Sequence, residues 1–396
     1  MTKRKNTKRE SKKNTLRRMI LQLHIYLGIA SSLILFIVCI TGAIYSFKPE
    51  IEEAIEPHKY KIEASFDAQE IHLDFLLQKF EQQIGKGKIR SVLIPADINR
   101  SYLVNVLLEN PIEKAVAPAS RGTNYLLNPY TGESLGTSRG PATDFFFTVF
   151  KLHRWLLQDT NIGRPIVGTA VIFFIVVVIS GFIIWIPQKI KNWKAWKAGL
   201  KIKCSGNKIQ IARNLHTSLG FYAAGLLLVM ALTGLTWSFP WYRKAFFYVA
   251  GVEMPIRKAE SSKKTDTVYK DQVNLSAYIK ACNEALPYRG NCRITLPSPN
   301  DSTVLVSKSR AGFFAFSGVD RVTMDKSTAA IIEVDMLTEK SLGIIITSSI
   351  KSIHTGEIFG TFSKLLYLIA SLIGSSLPIT AGVFMYSKWK KRRLRA

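Results

Sequence analysis

LHIYLGIASSLILFIVCITGAIYSF at residues 23–47 returns as LHTSLGFYAAGLLLVMALTGLTWSF at residues 215–239. A shift of 192 residues aligns the two without a gap, and nine of 25 positions are identical. Leu23, His24, Leu27, Gly28, Leu35, Thr41, Gly42, Ser46 and Phe47 recur as Leu215, His216, Leu219, Gly220, Leu227, Thr233, Gly234, Ser238 and Phe239. Each stretch is apolar over the roughly 20 residues that a helix needs to cross a bilayer. A second shift, of 201 residues, places His153 on His354 and Gly181 on Gly382. The chain therefore reads as a duplicated unit of helix, outer domain and helix.

The charge supports a membrane reading. The 396 residues carry a net charge of +26, enough to raise nucleic acid as a partner. Nearly all of it is concentrated in three places. Residues 1–18 hold nine Lys/Arg against Glu10 alone, residues 188–213 hold eight and no acid, and residues 388–396 hold six and no acid. Each stretch adjoins a long apolar run, the distribution that the positive-inside rule gives a polytopic membrane protein. Nucleic acid is excluded as the main partner, and the lipid bilayer takes its place.

The plan that follows is a polytopic α-helical membrane protein, a four-helix transmembrane bundle carrying two small α+β domains. A basic cytoplasmic N-terminus (1–22) leads into the first span (23–47), and an outer domain follows (48–150). Residues 151–187 hold His153 and the second span, which begins near 163. A basic cytoplasmic loop (188–213) precedes the third span (214–239), and a second outer domain occupies 240–350. Residues 351–387 hold His354 and the fourth span, which begins near 360, and a basic tail (388–396) ends the chain. The first span exceeds the about 7–15 residues of a signal-peptide apolar core, and no A-x-A-like site follows Phe47. It reads as an uncleaved helix.

The outer regions alternate helical and strand patterns. Residues 66–85 have a helical apolar pattern (Phe66, Ile71, Phe75, Leu76, Phe80). Strand-like runs follow at 90–94 and 102–108, then NYLLNPYTGESLG (124–136), with turn residues at Asn128-Pro129 and Thr131-Gly132. A helical stretch at 274–286, then RITLP, STVLVS and TMDKSTAAIIEVDM, repeats the order. Two copies of one small domain are expected. Cys39 lies in a span and Cys204 in the cytoplasmic loop, so both are expected reduced. Cys282 and Cys292 share the second outer region and are candidates for a disulfide there. No CxxC or Cys/His cluster suggests a zinc or iron–sulfur site.

Four of the six histidines stand in repeat register, one near the start of each membrane element. Spans one and three run outward, so His24 and His216 share a depth near the cytoplasmic face. His24 to Gly42 is 18 residues, about 27 Å of helix. Elements two and four run inward, which pairs His153 with His354 near the outer face. His153 to Gly181 is 28 residues, about 42 Å if straight, so a bend is expected at QDTNIGRP (158–165). Two imidazole pairs, one near each face, are the ligand set of two bis-histidine b-type haems. Gly28 and Gly220, one turn after their histidines, leave room beside the ligand helix, and Gly356 and Gly360 are further candidates for this role. Arg17, Arg18 and Arg213 inside, and Arg154 and Lys351 outside, are candidate partners for haem propionates. His58 and His72 fall outside the repeat and read as surface residues. Trp155 and Phe145–Phe147 read as an interfacial belt or a docking surface.

IHTGEIFG (353–360) and PITAGVFMYSKWKKRR (378–393) resemble the last helix of PepSY-associated transmembrane proteins. LHRWLL (152–157) resembles the opening of their second membrane element, and NYLLNPYTGESLG the closing hairpin of a PepSY domain. LHIYLG and LHTSLG are similar to the family's first and third helices. TMDKSTAAIIEVDM departs from the pattern by lacking the usual Asp-x-x-Thr-Gly turn. The resemblance implies a bacterial inner-membrane protein of iron uptake, similar to ferric-siderophore reductases, with axial haem ligands His24, His153, His216 and His354. It also implies electrons passing from a cytoplasmic reductase or quinol to a ferric-siderophore or other iron chelate in the periplasm.

Neither a GxGxxG after a strand nor a P-loop nor a GxSxG elbow occurs, so no intrinsic flavin or nicotinamide site is expected. A non-enzymatic membrane-anchored sensor and an iron–siderophore transport component remain open as alternatives.

Overall fold

An apolar segment inside a bilayer must satisfy its backbone N–H and C=O groups internally, and these segments do so as helices. The structure is a computed structural model describing residues 2–63, 69–85, 87–108, 122–187, 192–254, 274–298 and 301–393. Phe66 and residues 188–191 of the basic loop lie outside the described residues. The chain opens with a long helix, α1 (Thr2–Ser46), then two short ones, α2 (Lys48–Ile55) and α3 (Pro57–Tyr60). Helix α4 (Leu73–Ile84) and strands β1 (Gly87–Ile94), β2 (Tyr102–Leu108), β3 (Thr123–Leu127) and β4 (Ser134–Thr137) form the first outer unit. Then come α5 (Thr143–Trp155), α6 (Thr160–Trp185), the short α7 (Trp193–Leu200) and α8 (Lys208–Ser238). After α9 (Pro240–Val249), the outer order recurs as α10 (Leu275–Ala285), β5 (Gly290–Thr295), β6 (Thr303–Arg310), β7 (Val319–Asp325) and β8 (Ile331–Asp335). Helices α11 (Leu342–Ser348), α12 (Ile350–Thr355) and α13 (Gly360–Arg393) close the described chain.

Four helical stretches are long and apolar enough to cross a membrane: Thr15–Ser46, Thr160–Trp185, Lys208–Ser238 and Gly360–Ser387. α1 packs against α6 and α13, and α8 packs against the same two, so α1 and α8 face each other across the bundle. Small residues permit the close approach. A Cβ on Gly168 of α6, for instance, would meet the Phe239 ring at 2.5 Å.

The expected bend after His153 is present, but its position differs. α5 ends at Trp155 and α6 begins at Thr160, with the Asp159 carboxylate accepting from the Asn161 N–H as the cap. The turn itself is made at Leu156 and Leu157, with φ of 54° and 60°. Left-handed backbone costs a non-glycine residue about 1–2 kcal/mol, so the surrounding packing imposes this turn. Asn161, Gly163 and Pro165 lie inside α6, in its opening turns. Pro165 is the sixth residue of α6, past the N–H groups that lack an intrahelical partner, so the Asn161 carbonyl loses its usual helical donor.

The two α+β units meet in one structure. They share one antiparallel eight-stranded sheet, in the order β4-β3-β2-β1-β5-β6-β7-β8. At its centre Val92 of β1 lies opposite Ile294 of β5, with Ser91 opposite Thr295 and Leu93 opposite Arg293. Val92 and Ile294 hold equivalent places 202 residues apart, as do Leu73 and Leu275 at the starts of α4 and α10, so a local two-fold axis passes between the strands. The physical reason is the edge: a four-stranded half would expose β1 or β5 as an unpaired row of N–H and C=O groups. Phe80, Val92, Val104 and Leu127 from one half and Tyr278, Ile294, Val306 and Met324 from the other form a single core. His72 is half exposed. It lies 3.2 Å from Asp74 and 2.6 Å from Asn274, linking the starts of α4 and α10.

Cys282 and Cys292 are buried free thiols in contact. The Cys282 thiol donates to the Cys292 sulfur, which together with nearby Lys308 holds Cys292 below the usual thiol value, while the same contact and burial push Cys282 up.

The missing Asp-x-x-Thr-Gly turn is built by other residues. Asn128 Oδ1 accepts from the backbone of Tyr130 and Thr131, with Gly132 at φ 71°. In the second copy Asp325 Oδ1 accepts from the N–H and hydroxyl groups of Ser327 and Thr328, and Ala329 takes the glycine's place at φ 58°. Ala329→Gly is expected to stabilise the fold by about 1 kcal/mol. Thermal unfolding of the full chain in detergent checks this, and an unchanged or lower midpoint contradicts it.

Candidate functional site

Each of the four repeated histidines leans on a neighbouring helix. His24 Nδ1 lies 3.0 Å from the Val177 carbonyl and 3.1 Å from Ser180 Oγ, both on α6. His216 Nδ1 meets the Leu377 carbonyl and Thr380 Oγ1 of α13, each at 3.1 Å. His153, on α5, meets the Val38 carbonyl at 3.0 Å and Thr41 Oγ1 at 3.2 Å on α1. His354, on α12, meets the Met230 carbonyl at 3.0 Å and Thr233 Oγ1 at 3.1 Å on α8.

The seat is one motif used four times. A carbonyl at position i and a hydroxyl at i+3 share a helix face, and a small residue follows at i+4. Each hydroxyl donates back to its own helix, as Thr41 does to the Ile37 carbonyl at 2.6 Å, so its lone pair is left for the imidazole. A carbonyl oxygen only accepts, so Nδ1 carries the proton and the neutral ring keeps its lone pair at Nε2. None of the four Nε2 atoms has a hydrogen-bond partner among the described residues. At three seats the small residue is glycine: a Cβ on Gly42, Gly181 or Gly234 would stand 3.0 Å from the Cε1 of His153, His24 or His354. At the fourth it is Ala381.

The rings pair as the sequence predicts. The ring centres of His24 and His216 lie 6.5 Å apart, and those of His153 and His354 6.2 Å apart. Two imidazoles on opposite sides of one metal, each bonded at about 2.0 Å, have ring centres roughly 6 Å apart. Both pairs have that spacing. The two levels are separated along α1 by the 14 residues from His24 to Val38, about 21 Å of helix. Among the described residues no group of three or more His, Cys, Asp or Glu could chelate a metal by itself.

The whole arrangement falls within a single family match. The profile of the PepSY-associated TM region covers residues 21–389, which include all four histidines, three of the spans whole and most of the first. The chain belongs to this family. No curated protein matches it.

Other expected site residues of this PepSY-associated chain divide. Nothing lies within 4 Å of a Cβ placed on Gly28, so that position is open, whereas one on Gly220 would meet Leu377 at an ordinary 3.6 Å. Gly356 and Gly360 serve the chain path instead: their φ values are 80° and 66°, and a Cβ would strike Tyr367 at 2.5 Å and the Phe313 carbonyl at 2.6 Å. Arg17 is committed to the last turn of α6, donating to the carbonyls of Ile184 and Ile186. Arg18, Arg213 and Lys351 are exposed. Arg154 is half-buried, 5.6 Å from the Phe150 ring centre and 5.8 Å from that of Trp155. Burial, and then nearby Arg164, hold its guanidinium below the usual value. Of the outer aromatics, Phe146 is fully buried beside Tyr45, Phe147 carries Lys151 over its ring and only Phe145 is largely exposed.

The repeat offset needs one correction. α6 and α13 begin at Thr160 and Gly360, and Val177 and Ser180 correspond to Leu377 and Thr380, an offset of 200. Gly181 therefore matches Ala381 rather than Gly382. The cause is the preceding turn, seven residues from His153 to Thr160 against six from His354 to Gly360. Val38, Thr41, Ser180, Thr233 and Thr380 were missed as histidine partners, although Thr41-Gly42 and Thr233-Gly234 are a visible repeated pair.

Gly42→Val is expected to push His153 off its seat, whereas Gly28→Ala leaves His24 in place. NMR of isotope-labelled histidine side chains reads both, and a wild-type His153 signal in Gly42→Val contradicts the seat.

Proposed function

We propose that this chain is a dihaem b-type electron conduit of the bacterial inner membrane, reducing a ferric-siderophore or other ferric chelate on the periplasmic side for iron acquisition. The single observation that carries the reading is the two imidazole pairs, at metal-spanning separations and at two levels of one bundle. Each pair offers two imidazoles and, among the described residues, no third protein ligand, so His24 with His216 and His153 with His354 would hold a metal that carries its other ligands with it, as haem iron does. Bis-imidazole haem supplies one-electron redox chemistry at each level.

The chain's own residues do the rest. The carbonyl and hydroxyl seats fix the tautomer and aim of each imidazole before any ligand arrives, and hydrogen bonding at Nδ1 raises the basicity of Nε2. Helices α1, α6, α8 and α13 pack around both levels. The basic stretches at the termini and in the 188–213 loop support a cytoplasmic placing of these segments, with His24 and His216 then on the donor side and His153 and His354 on the acceptor side. Quinol or a cytoplasmic reductase is the donor. The repeated element order, with its two-fold strand pair, supports a duplicated unit with two PepSY-like copies.

Detergent-purified protein made with ample haem is expected to show sharp b-type α-bands on reduction, with about two haems per chain by pyridine haemochrome. His24→Ala and His354→Ala are each expected to lose one. A colourless wild-type protein would sink this reading.

A further inference from the structure

The two halves treat one repeated cation differently. With the offset of 200 that the seats establish, Arg164 of α6 corresponds to Lys364 of α13. Lys364 is buried and neutralised within the protein: its Nζ lies 2.6 Å from Glu50 and 3.4 Å from Glu357. Arg164 has no carboxylate partner among the described residues, and its Nε is buried without any hydrogen bond.

The missing partners can be named. Glu50 corresponds, by the 192 offset of α1 and α8, to Tyr242, and Glu357 corresponds to Leu157 or Leu156 across the unequal turn. Neither position carries a carboxylate on this side. A second guanidinium, Arg154, stands at the end of α5 next to Trp155, which packs on Gly163 beside Arg164, and it is likewise without a carboxylate among the described residues. Arg154 also follows directly after His153, at the sheet end of the bundle. The strained Leu156–Leu157 turn connects the two arginines' helices, and a Cβ on Gly163 would strike the Trp155 carbonyl at 1.9 Å, so the turn is pressed tightly onto α6. Two like charges held together at a partly buried site, with their repeat counterpart paired, cost free energy until an anion joins them.

We propose that Arg164 and Arg154 form a carboxylate-binding site beside the His153/His354 pair, present in the first half of the chain only. Guanidinium groups suit carboxylates because their planar donors match the two oxygens. The carboxylate has two possible sources, a propionate of a haem held by that histidine pair or a carboxylate of a ferric chelate arriving from the sheet side. The first rests on the dihaem reading above; the second does not.

Full-length protein in detergent distinguishes the outcomes, using Arg164→Gln and Tyr242→Glu, the latter supplying the carboxylate that Glu50 gives Lys364. Citrate binding is measured by calorimetry with and without haem, and haem midpoint potentials by redox titration. A free-carboxylate source predicts citrate binding weakened about tenfold or more in Arg164→Gln, with both haem midpoints unchanged. A propionate source predicts that one of two midpoints falls in Arg164→Gln, and that this difference between wild type and Arg164→Gln disappears when both are loaded with haem dimethyl ester. Tyr242→Glu is expected to abolish citrate binding or displace the same midpoint while retaining wild-type helix content, so the test survives if Arg164→Gln does not fold. Wild-type citrate binding and wild-type midpoints in both variants overturn the proposal. Should the wild type hold no haem, the dihaem reading fails, and citrate binding alone decides: none, or none lost in the variants, overturns the carboxylate site.

Discussion

An imidazole N–H shared between a helix carbonyl and a threonine or serine hydroxyl is the contact on which the bundle is organised. It occurs four times, and each occurrence joins two different elements: α1 to α6, α5 to α1, α8 to α13 and α12 to α8. In an apolar surround an unpaired imidazole N–H is costly, so each pairing fixes helix rotation and depth together. Gly42, Gly181 and Gly234 keep the approach close, since an added Cβ there would stand 3.0 Å from the ring Cε1, while Ala381 holds the same place at the fourth seat. Once the rings are seated, their Nε2 atoms are the only nitrogens left to act.

The outer half of the molecule answers to a different constraint. Its two units bury apolar faces of α4 and α10 on a common sheet, and the β1–β5 pairing removes two edges at once. That sheet also spans both halves of the membrane bundle in sequence: β1 follows α1, and β5 follows α8. Direct contacts tie it to the bundle, as the Ser317 N–H does by donating to the Ile358 carbonyl just before α13.

Much of this was legible in the residues. Apolar length and the 192-residue repeat located the spans, and helix rise paired the histidines by depth, because both follow from local geometry. Strands 102–108 and the 124–136 hairpin followed from alternation and turn residues. What remained hidden depends on contacts between distant segments. Nothing in RITLP says that Arg293 will lie opposite Leu93. The seats needed the rotation of α6 against α1, and the commitment of Arg17 to the end of α6 needed the depth of both helices. Arg164 stayed out of view because the turn after His153 is one residue longer than its counterpart, so a shift of 201 set it against Leu365 rather than Lys364.

The strand pair about Val92 and Ile294 is isologous: the same segment from each half meets its equivalent across a two-fold axis. That is the contact by which two identical chains make a closed dimer. Two identical half-length chains meeting this way would form both histidine pairs from two copies of each of two positions, and such a dimer would be bound to keep its two sides alike. Joining the halves end to end through α7 lifts that obligation. Each position then mutates alone, and a symmetric scaffold can acquire a side that differs from its twin, as Arg164 and Lys364 already do.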